Sequence, residues 1–172
     1  MKTGTADSLD MLLATERDAT EIARLRTAVA DDLSRQFGHG HWSSAVTANG
    51  VMRGLPHARL IVARSGDVIV GTLRLATKKP WAIDRKYFVD VSQSVYLTDM
   101  AVAPERQRQG IGRRLIAYAQ DVARAWPAGS IRLDAYDGLA GAGPFYTRCG
   151  FTEVARVTYC GVPLQYYEWL VT

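Results

Sequence analysis

A short basic segment that contains two glycines carries the strongest chemical signal in the sequence. It reads Gln107-Arg108-Gln109-Gly110-Ile111-Gly112-Arg113-Arg114 and lies between a strand-like run and a helix-like run. Glycines allow a tight turn, and the first amides of the following helix have no partners within it, so they can bind an anion. Neighbouring arginines can add bidentate contacts to phosphate. The segment therefore predicts a pyrophosphate site, with a solvated basic turn as the open alternative.

Two common phosphate-binding motifs fit this segment less well. A nucleoside-triphosphate loop ends in Gly-Lys-Ser or Gly-Lys-Thr, which is absent here. A dinucleotide-binding turn needs a third glycine, and Leu115 stands at that position. The sequence therefore favours neither of these two motifs, and the solvated basic turn stays open as the alternative.

Length, composition and charge restrict the kind of protein that surrounds this segment. The chain has 172 residues, of which 48% are apolar, and we expect a single domain spanning 1–172. The 21 Lys and Arg against 17 Asp and Glu give a net charge of only +4, so no nucleic-acid partner is expected. No run of about 18 apolar residues occurs, so no membrane association is expected.

The cysteines and the start of the chain indicate a compartment. Cys149 and Cys160 are too few to form a disulfide framework. Residues 1–14 lack both the basic start and the long apolar run of a secretory signal. We therefore expect a cytoplasmic location.

Hydrophobic periodicity predicts an alternation of strands and helices around the basic segment. Strands are expected at 9–14, 59–63, 68–75, 95–102 and 131–136, with a final hairpin at 151–159 and 163–171. Helices are expected at 112–126 and 144–149, and a first helix begins at Asp18, with Glu21 completing a capping box, and ends at Gly38. Segment 39–57 has weak periodicity, with room for one short helix. The class is therefore α+β.

Three short motifs resemble the GNAT superfamily of N-acetyltransferases. They are Val102-Ala103-Pro104, the spacing Gln107-x-x-Gly110-x-Gly112, and Phe145-Tyr146-x-x-Cys149-Gly150-Phe151. The resemblance extends over most of the chain, because the expected strands and helices also follow the family's order. It implies a mixed, mostly antiparallel central sheet flanked by helices and splayed between the fourth and fifth strands. It also implies acetyl-CoA as cosubstrate, with the pantetheine arm lying in the splay.

The resemblance assigns the cosubstrate contacts residue by residue. Backbone amides of the basic segment would bind the CoA pyrophosphate, and the fourth strand would pair with pantetheine as if with an extra strand. An amide of Met100 or Val102 would polarise the thioester carbonyl. The expected cosubstrate-binding residues are Met100, Ala101, Val102, Gln107, Arg108, Gln109, Gly110, Ile111, Gly112 and Arg113.

Two residues are the expected catalytic groups. The resemblance makes Tyr146 the acid that protonates the departing thiolate, and a phenol with a pKa of about 10 is a competent donor to it. The alternative is a core aromatic at the end of a short helix. Asp99 is the leading candidate for the base or for an anchor of a cationic substrate, with a hydrogen-bonding role in the sheet as its alternative. Tyr96 and Leu139 depart from the family, which often has an acid and an asparagine at those positions.

The remaining conspicuous residues point to direct transfer without a metal. His39 and His41 lack the further ligands that zinc needs, so no metal is expected. Cys149 has no obvious histidine partner, so a buried structural thiol is expected rather than a nucleophile. The resemblance implies that segments 39–55 and 159–166 form the acceptor site. The loop tryptophans Trp42 and Trp81 are candidates to line it, because a large apolar ring in a loop needs a place to be buried.

Taken with the resemblance, these residues predict an acetyl-CoA-dependent N-acetyltransferase. The acceptor would be the primary amine of a small molecule or a peptide, and its nitrogen would attack bound acetyl-CoA directly. The alternative is a non-catalytic module that binds or senses acyl-CoA. The resemblance also permits a homodimer.

Overall fold

A computed structural model describes residues 8–172, so part of the expectation drawn from residues 1–14 lies outside the described chain. The strands are β1 (Leu9–Leu13), β2 (Arg59–Ser65), β3 (Val68–Ala76), β4 (Ser94–Val102), β5 (Ser130–Tyr136), β6 (Thr152–Tyr159) and β7 (Val162–Leu170). The helices are α1 (Ala19–Phe37), α2 (Ala48–Gly54), α3 (Ile111–Ala125) and α4 (Gly143–Arg148). Short 3-10 turns stand at Glu16–Asp18, Leu55–His57, Arg85–Tyr87 and Pro104–Arg106. The expected elements are all present, with ends that differ by one or two residues.

The strands form one seven-stranded sheet in the order β1-β2-β3-β4-β5-β7-β6. Every neighbouring pair is antiparallel except β4 and β5, which are parallel. These two strands pair only from Ser94 opposite Ser130 to Tyr96 opposite Arg132, although β4 continues to Val102. The two strands therefore separate towards their carboxyl ends. This confirms the expected α+β class and the splay between the fourth and fifth strands.

Helices cover both faces of the sheet because each presents one apolar stripe. On one face, α3 packs Leu115, Ile116 and Ala119 into a core that also contains Tyr146 of α4. On the other face, α1 packs Ile22 and Leu25 against β2 and β3. Gly38, with a φ of +82°, ends α1 as expected. None of the described helices is long and apolar enough to span a membrane.

The start of α1 differs from the prediction. The capping box is formed by Thr15 and Asp18, not by Asp18 and Glu21, because Asp18 lies inside the turn that precedes α1. The Asp18 Oδ2 atom accepts the Thr15 backbone N–H at 2.7 Å, and Arg64 donates to Asp18 Oδ1. Glu21 instead accepts the backbone N–H of Ile69 at 2.6 Å. Its carboxylate therefore fastens α1 to the sheet.

The connection 77–93 between β3 and β4 is more ordered than its polar sequence suggests. It buries Ile83 and Phe88 against the sheet in a third apolar cluster. A buried ion pair holds it there: Arg132 Nε lies 2.9 Å from Glu168 Oε1, and Glu168 Oε2 accepts the Val89 N–H at 3.2 Å. This connection thus forms a fixed wall on the face of the sheet that carries α1 and α2.

Candidate active site

A cavity of about 630 Å³ opens where β4 and β5 separate. Its walls come from β4, the basic segment, the start of α3, and α4. The expected cosubstrate-binding residues that line it are Met100, Ala101, Val102, Gln107, Arg108, Gly110, Ile111, Gly112 and Arg113. Gln109 does not line it, because its side chain turns back to donate to the Glu105 carbonyl at 3.2 Å. Tyr146 also borders this cavity, so one of the two expected catalytic groups meets the expected binding residues.

The start of α3 has the backbone geometry of an anion site. Gly110 precedes the helix in the left-handed region, with a φ of +82°, which glycine adopts without strain. The amide of Arg114 is bonded to the Gly110 carbonyl at 3.1 Å, so the amides of residues 111–113 come before the first helical hydrogen bond. A Cβ atom at Gly112 would lie 3.2 Å from Met100 Cε and from Phe145 Cζ. Glycine there lets α3 approach β4 and α4 closely.

Strand β4 carries a bulge beside these amides. Thr72 of β3 pairs with Ala101 and Arg74 pairs with Thr98, so one residue of β3 stands opposite both Asp99 and Met100. Asp99 takes a φ of +58°, an uncommon conformation that Asp tolerates better than most residues. A bulge takes residues out of the regular ladder. This break in the ladder lies at Asp99 and Met100, next to the amides that the resemblance assigns to the thioester carbonyl.

Tyr146 is a buried phenol directed at that bulge. Only 7% of the residue is exposed, and its Oη atom lies 3.7 Å from Met100 Sδ. The rings of Phe145, Phe151 and Tyr167 pack around it at centroid distances of 5.3–6.0 Å. Burial raises the pKa of Tyr146 strongly, and the charge of Asp134 raises it further, so Tyr146 is a weaker acid than the free phenol on which the sequence expectation rests. The phenol therefore keeps its proton at neutral pH.

Asp99 lies on the other side of β4, in a second cavity of about 550 Å³. Its Oδ1 atom is 2.6 Å from Arg26 Nη2 of α1, and the side chains of Arg26 and Asp99 are 22% and 31% exposed. The two cavities share Val29, Met100 and Ala101. The structure therefore brings Tyr146 and Asp99 to adjoining cavities, with the Asp99 carboxylate already engaged by an arginine.

Asp134 is a candidate that the sequence reasoning missed. The last pair between β4 and β5 joins Tyr96 to Arg132. Asp134 lies two residues beyond Arg132 on β5, and Thr98 lies two residues beyond Tyr96 on β4. The two residues therefore flank the opening of the splay on the same face of the sheet. Burial raises the pKa of the Asp134 carboxyl, and the charge of His41 opposes that rise. The Thr98 hydroxyl is buried and has no hydrogen-bond partner among the described residues.

A signal for Asp134 was present in the sequence. Strand β5 reads Ser-Ile-Arg-Leu-Asp-Ala-Tyr, so an acid occupies a position inside a strand of which six neighbours are buried or half-buried. A carboxylate in such a place is rarely kept without a partner or a function. The motifs that resemble the family do not include Asp134.

The segment 39–46 approaches Asp134 from the side of α1. The rings of His41, Trp42 and Tyr136 form a cluster with centroid distances of 4.9, 5.1 and 5.4 Å. His41 and Trp42 line the second cavity together with Asp99. This part of the expected acceptor region therefore does border the site. Trp81, by contrast, is 85% exposed and lines neither cavity.

The hairpin of β6 and β7 contacts the connection 77–93 and not the two cavities. The Tyr166 hydroxyl donates to the Ala82 carbonyl and accepts the Asp84 N–H at 3.2 Å, which fastens the connection 77–93. Tyr159 is 40% exposed near the hairpin turn. Neither tyrosine lines the two cavities described above.

Neither the histidines nor the cysteine of the site forms a recognisable metal or nucleophile centre. Within residues 8–172, no three His, Cys, Asp or Glu side chains lie close enough to hold a metal ion. Cys149 is half-buried at the end of α4, and burial raises the pKa of its thiol while Arg113 and Arg148 lower it. A raised pKa keeps this thiol protonated and poorly nucleophilic.

Comparison with known families agrees with this arrangement. Residues 25–151 match the model of the acetyltransferase (GNAT) family, which is about three quarters of the chain. The chain therefore belongs to the GNAT family of acetyltransferases, as the resemblance predicted. No curated protein matches the sequence significantly.

Solved structures share the fold at low sequence identity. The ribosomal-protein-alanine N-acetyltransferase from Brucella melitensis is 19% identical, with a TM-score of 0.74 over 94% of this chain and 99% of its own. The PaiA N-acetyltransferase from Thermoplasma acidophilum, solved with coenzyme A, is 11% identical, with a TM-score of 0.72 over 94% and 99%. The yncA protein from Salmonella typhimurium, solved with acetyl-CoA, is 17% identical, with a TM-score of 0.72 over 95% and 94%. These similarities confirm the fold.

Proposed function

We propose that this chain is an acetyl-CoA-dependent N-acetyltransferase that transfers the acetyl group directly to a primary amine. Membership of an acetyltransferase family supports the type of reaction. The observation that carries the proposal is that the free amides of α3, the bulge of β4 and the Tyr146 phenol all border one cavity. Two proteins with this fold were solved with acetyl-CoA or coenzyme A. The single continuous sheet of residues 8–172 supports the proposal of one domain.

Backbone groups are the proposed main contacts to the cosubstrate. The amides of residues 110–113 bind the pyrophosphate at the positive end of α3, with Arg108 and Arg113 beside them. Residues 100–102 of β4 pair with the pantetheine arm, which explains why the sheet leaves this edge open. Gln107 and Gln109 act indirectly: Gln107 donates to the Val102 carbonyl at 3.2 Å and so fixes the turn to β4.

Asp134 is the proposed acceptor of the proton that the substrate ammonium must lose. An alkyl ammonium has a pKa of about 10.4 and is almost fully protonated at neutral pH, so a base is needed. A carboxyl whose pKa is raised by burial is a stronger base than an exposed one. The unpartnered Thr98 hydroxyl can accept a second hydrogen bond from the same ammonium. Neither group lines the two cavities, so the proposed ammonium site lies beside them, where Thr98 and Asp134 flank the opening of the splay.

The proposed reaction uses three groups of the chain in sequence. Asp134 takes one proton from the acceptor ammonium, and the freed nitrogen lone pair forms a bond to the carbonyl carbon of the acetyl group. An N–H of residues 100–102 stabilises the negative charge that develops on the carbonyl oxygen. The C–S bond breaks with its electron pair on sulfur, and Tyr146 gives its proton to that sulfur. The proton that nitrogen loses as the amide forms restores the phenol, and Asp134 releases its proton to solvent.

Asp99 is proposed to organise the acceptor side rather than to remove the proton. Its ion pair with Arg26 occupies one carboxylate oxygen and holds α1 against the bulge of β4. Asp99 also lines the cavity that contains His41 and Trp42, where a cationic acceptor can bind. A small molecule or a peptide amine fits this site. A homodimer stays a prediction that only the resemblance supports.

The first experiment is a titration of the protein with acetyl-CoA, CoA, ATP and NAD, followed by calorimetry and thermal unfolding. A ligand at one hundred times its Kd adds about 2.7 kcal/mol, which raises the Tm by roughly 5–10 °C for a chain of this length. A shift with the CoA species alone supports the cosubstrate. Thiol release is then measured with panels of small amines and peptides. Binding without acetyl transfer to any amine would favour the non-catalytic acyl-CoA-binding module instead.

A further inference from the structure

A second basic cleft lies at the end of the sheet away from the proposed cosubstrate. It has a volume of about 670 Å³ and is bounded by the end of α2, the start of β2, the end of β3 and Trp126 after α3. Its charged lining residues are Arg53, Arg59, Arg74 and Lys78, with His57 beside them. No carboxylate lines it. Four cations therefore converge on one concave surface without a counter-charge.

One of these arginines is held in place by an aromatic ring, and a second is half-buried beside Gly54. The guanidinium carbon of Arg59 lies 4.4 Å from the centre of the Trp126 ring, which fixes the plane of the side chain while leaving its edge free to donate. Arg74 is half-buried, and a Cβ atom at Gly54 would come within 3.7 Å of its Nε atom. Over the described chain, neither arginine takes part in an ion pair. Arg59 is therefore a positioned donor, and the guanidinium groups of both arginines have no acceptor among the described residues.

Helix capping does not account for the cluster. Cations at helix ends often bond the last carbonyls. Here Arg53 donates from Nε to the Asn49 carbonyl at 3.3 Å, which lies one turn back near the start of α2 and is not a terminal carbonyl. Arginines elsewhere, such as Arg26, Arg64 and Arg132, pair with carboxylates. The cleft departs from that pattern.

The proposed cosubstrate cleft shows the same arrangement. Arg106, Arg108, Arg113 and Arg148 line it, again without a carboxylate. The two clefts are separate, because Gly71 pairs with Val102 at one end of β3 and Ala76 pairs with Tyr96 at the other. Five residues of strand span roughly 17 Å. One molecule of cosubstrate in the splay therefore leaves the second cleft free.

We propose that this second cleft binds a compact polyphosphate, either inorganic tripolyphosphate or the triphosphate group of a nucleotide. Such a group carries three to four negative charges, as many as the cleft has cations, and its oxygens match the paired N–H groups of arginine. The volume lies within the range of about 300–1,000 Å³ found for small-molecule sites. The cations surround a concavity rather than following a stripe, which favours a compact anion over a nucleic-acid strand.

The test uses the full chain saturated with CoA, so that the splay is closed to other phosphates. Tripolyphosphate and ATP are titrated by calorimetry, and a 20-nucleotide single-stranded oligonucleotide is titrated in parallel. The expected result is one site for tripolyphosphate and for ATP, each weakened about ten- to hundredfold by Arg74→Gln. The double variant Arg53→Gln/Lys78→Gln changes only exposed side chains and should weaken binding similarly. Arg24→Gln, an exposed arginine on α1, is the matched control and should leave binding unchanged.

Three results would overturn the proposal. They are no binding of either polyphosphate to the CoA-saturated protein, equal binding by wild type and both cleft variants, and tighter cleft-dependent binding of the oligonucleotide. ATP and tripolyphosphate affinities distinguish the two sources, because a contribution of the nucleoside makes ATP the tighter ligand. Loss of acetyl transfer would not bear on this test, since binding is measured directly.

Discussion

Arg26 of α1 and Asp99 of β4 are joined by a 2.6 Å ion pair at a point where the strand leaves its ladder. Asp99 has a φ of +58° there, so helix α1 holds a strained residue of β4 from the outside. Met100, the next residue, borders both cavities and lies under the Tyr146 hydroxyl. The ion pair therefore links the acceptor cavity to the segment that contacts the proposed thioester.

The first prediction separates the two acids. Asp134→Asn should lower kcat/KM by about 10²-fold or more, because it removes the proposed proton acceptor while keeping the shape of the side chain. Asp99→Asn should lower it less than about tenfold, mainly through KM for the acceptor. Both variants are compared by thiol release with the same amine. The reverse order of effects would return the role of base to Asp99.

The second prediction concerns the stability of the Asp134→Asn variant. Burial raises the pKa of folded Asp134 above the exposed value of 3.8, so the folded state binds this proton more tightly than the unfolded state. The free energy of unfolding therefore falls as pH rises from 3.8 through the raised pKa, and stays lower at neutral pH. Asparagine does not titrate, so the variant should have the higher Tm at pH 7. The difference in Tm between the variant and the wild type should shrink as the pH is lowered. A variant with a lower Tm than the wild type at pH 7 would contradict this prediction.

The third prediction tests Tyr146 as the acid. Tyr146→Phe removes the hydroxyl that faces Met100 Sδ and should lower kcat by about 10²-fold. The affinity for acetyl-CoA, measured by calorimetry, should stay within about twofold, because the proposed binding contacts are backbone amides. Tyr118→Phe on α3 is the matched control, since it deletes the hydroxyl of a half-buried tyrosine outside the cavity. Unchanged kcat for Tyr146→Phe would leave this residue a core aromatic.

Local signals explain how much of this molecule could be predicted from the sequence. Several elements end at a residue whose own backbone preference stops them, namely Gly38, Pro104 and Gly150. The apolar residues of α3 recur every three to four positions, which identifies its buried face. The basic segment can be recognised from sequence alone because its glycines and arginines are adjacent in the chain. Such features need no knowledge of distant residues.

Contacts between distant residues account for what could not be predicted. The burial of Ile83 and Phe88 depends on Glu168, which reaches the Val89 amide from 79 positions away. The acid inside a predicted strand is visible in the sequence, but the burial that raises the pKa of Asp134 and its place beside the diverging strands are not encoded by any local pattern. The predicted capping box of Asp18 and Glu21 is wrong for a similar reason, because the Glu21 carboxylate instead accepts the backbone N–H of Ile69 on β3.

The fourth prediction addresses the buried pair Arg132 and Glu168, each with a side chain only 3% exposed. Glu168→Gln leaves the guanidinium charge uncompensated inside the protein and should cost about 3–5 kcal/mol of unfolding free energy. Denaturant unfolding measures this loss. Glu153→Gln breaks a pair with Arg156, whose side chain is 61% exposed, and should cost less than about 1 kcal/mol. Similar losses in the two variants would show that burial does not set the strength of the first pair.

The fifth prediction uses two glycines in the same backbone conformation. Gly110 has a φ of +82° and Gly161 a φ of +79°, and a Cβ atom at either position would meet nothing within 4 Å. Valine at either site should therefore cost about 1–3 kcal/mol through backbone strain alone. Gly110→Val should in addition abolish acetyl-CoA binding, because its side chain stands beside the free amides of α3, whereas Gly161→Val in the last hairpin should bind normally. Calorimetry on both variants at a temperature where each is folded separates strain from binding, and equal affinities would move the phosphate site away from Gly110.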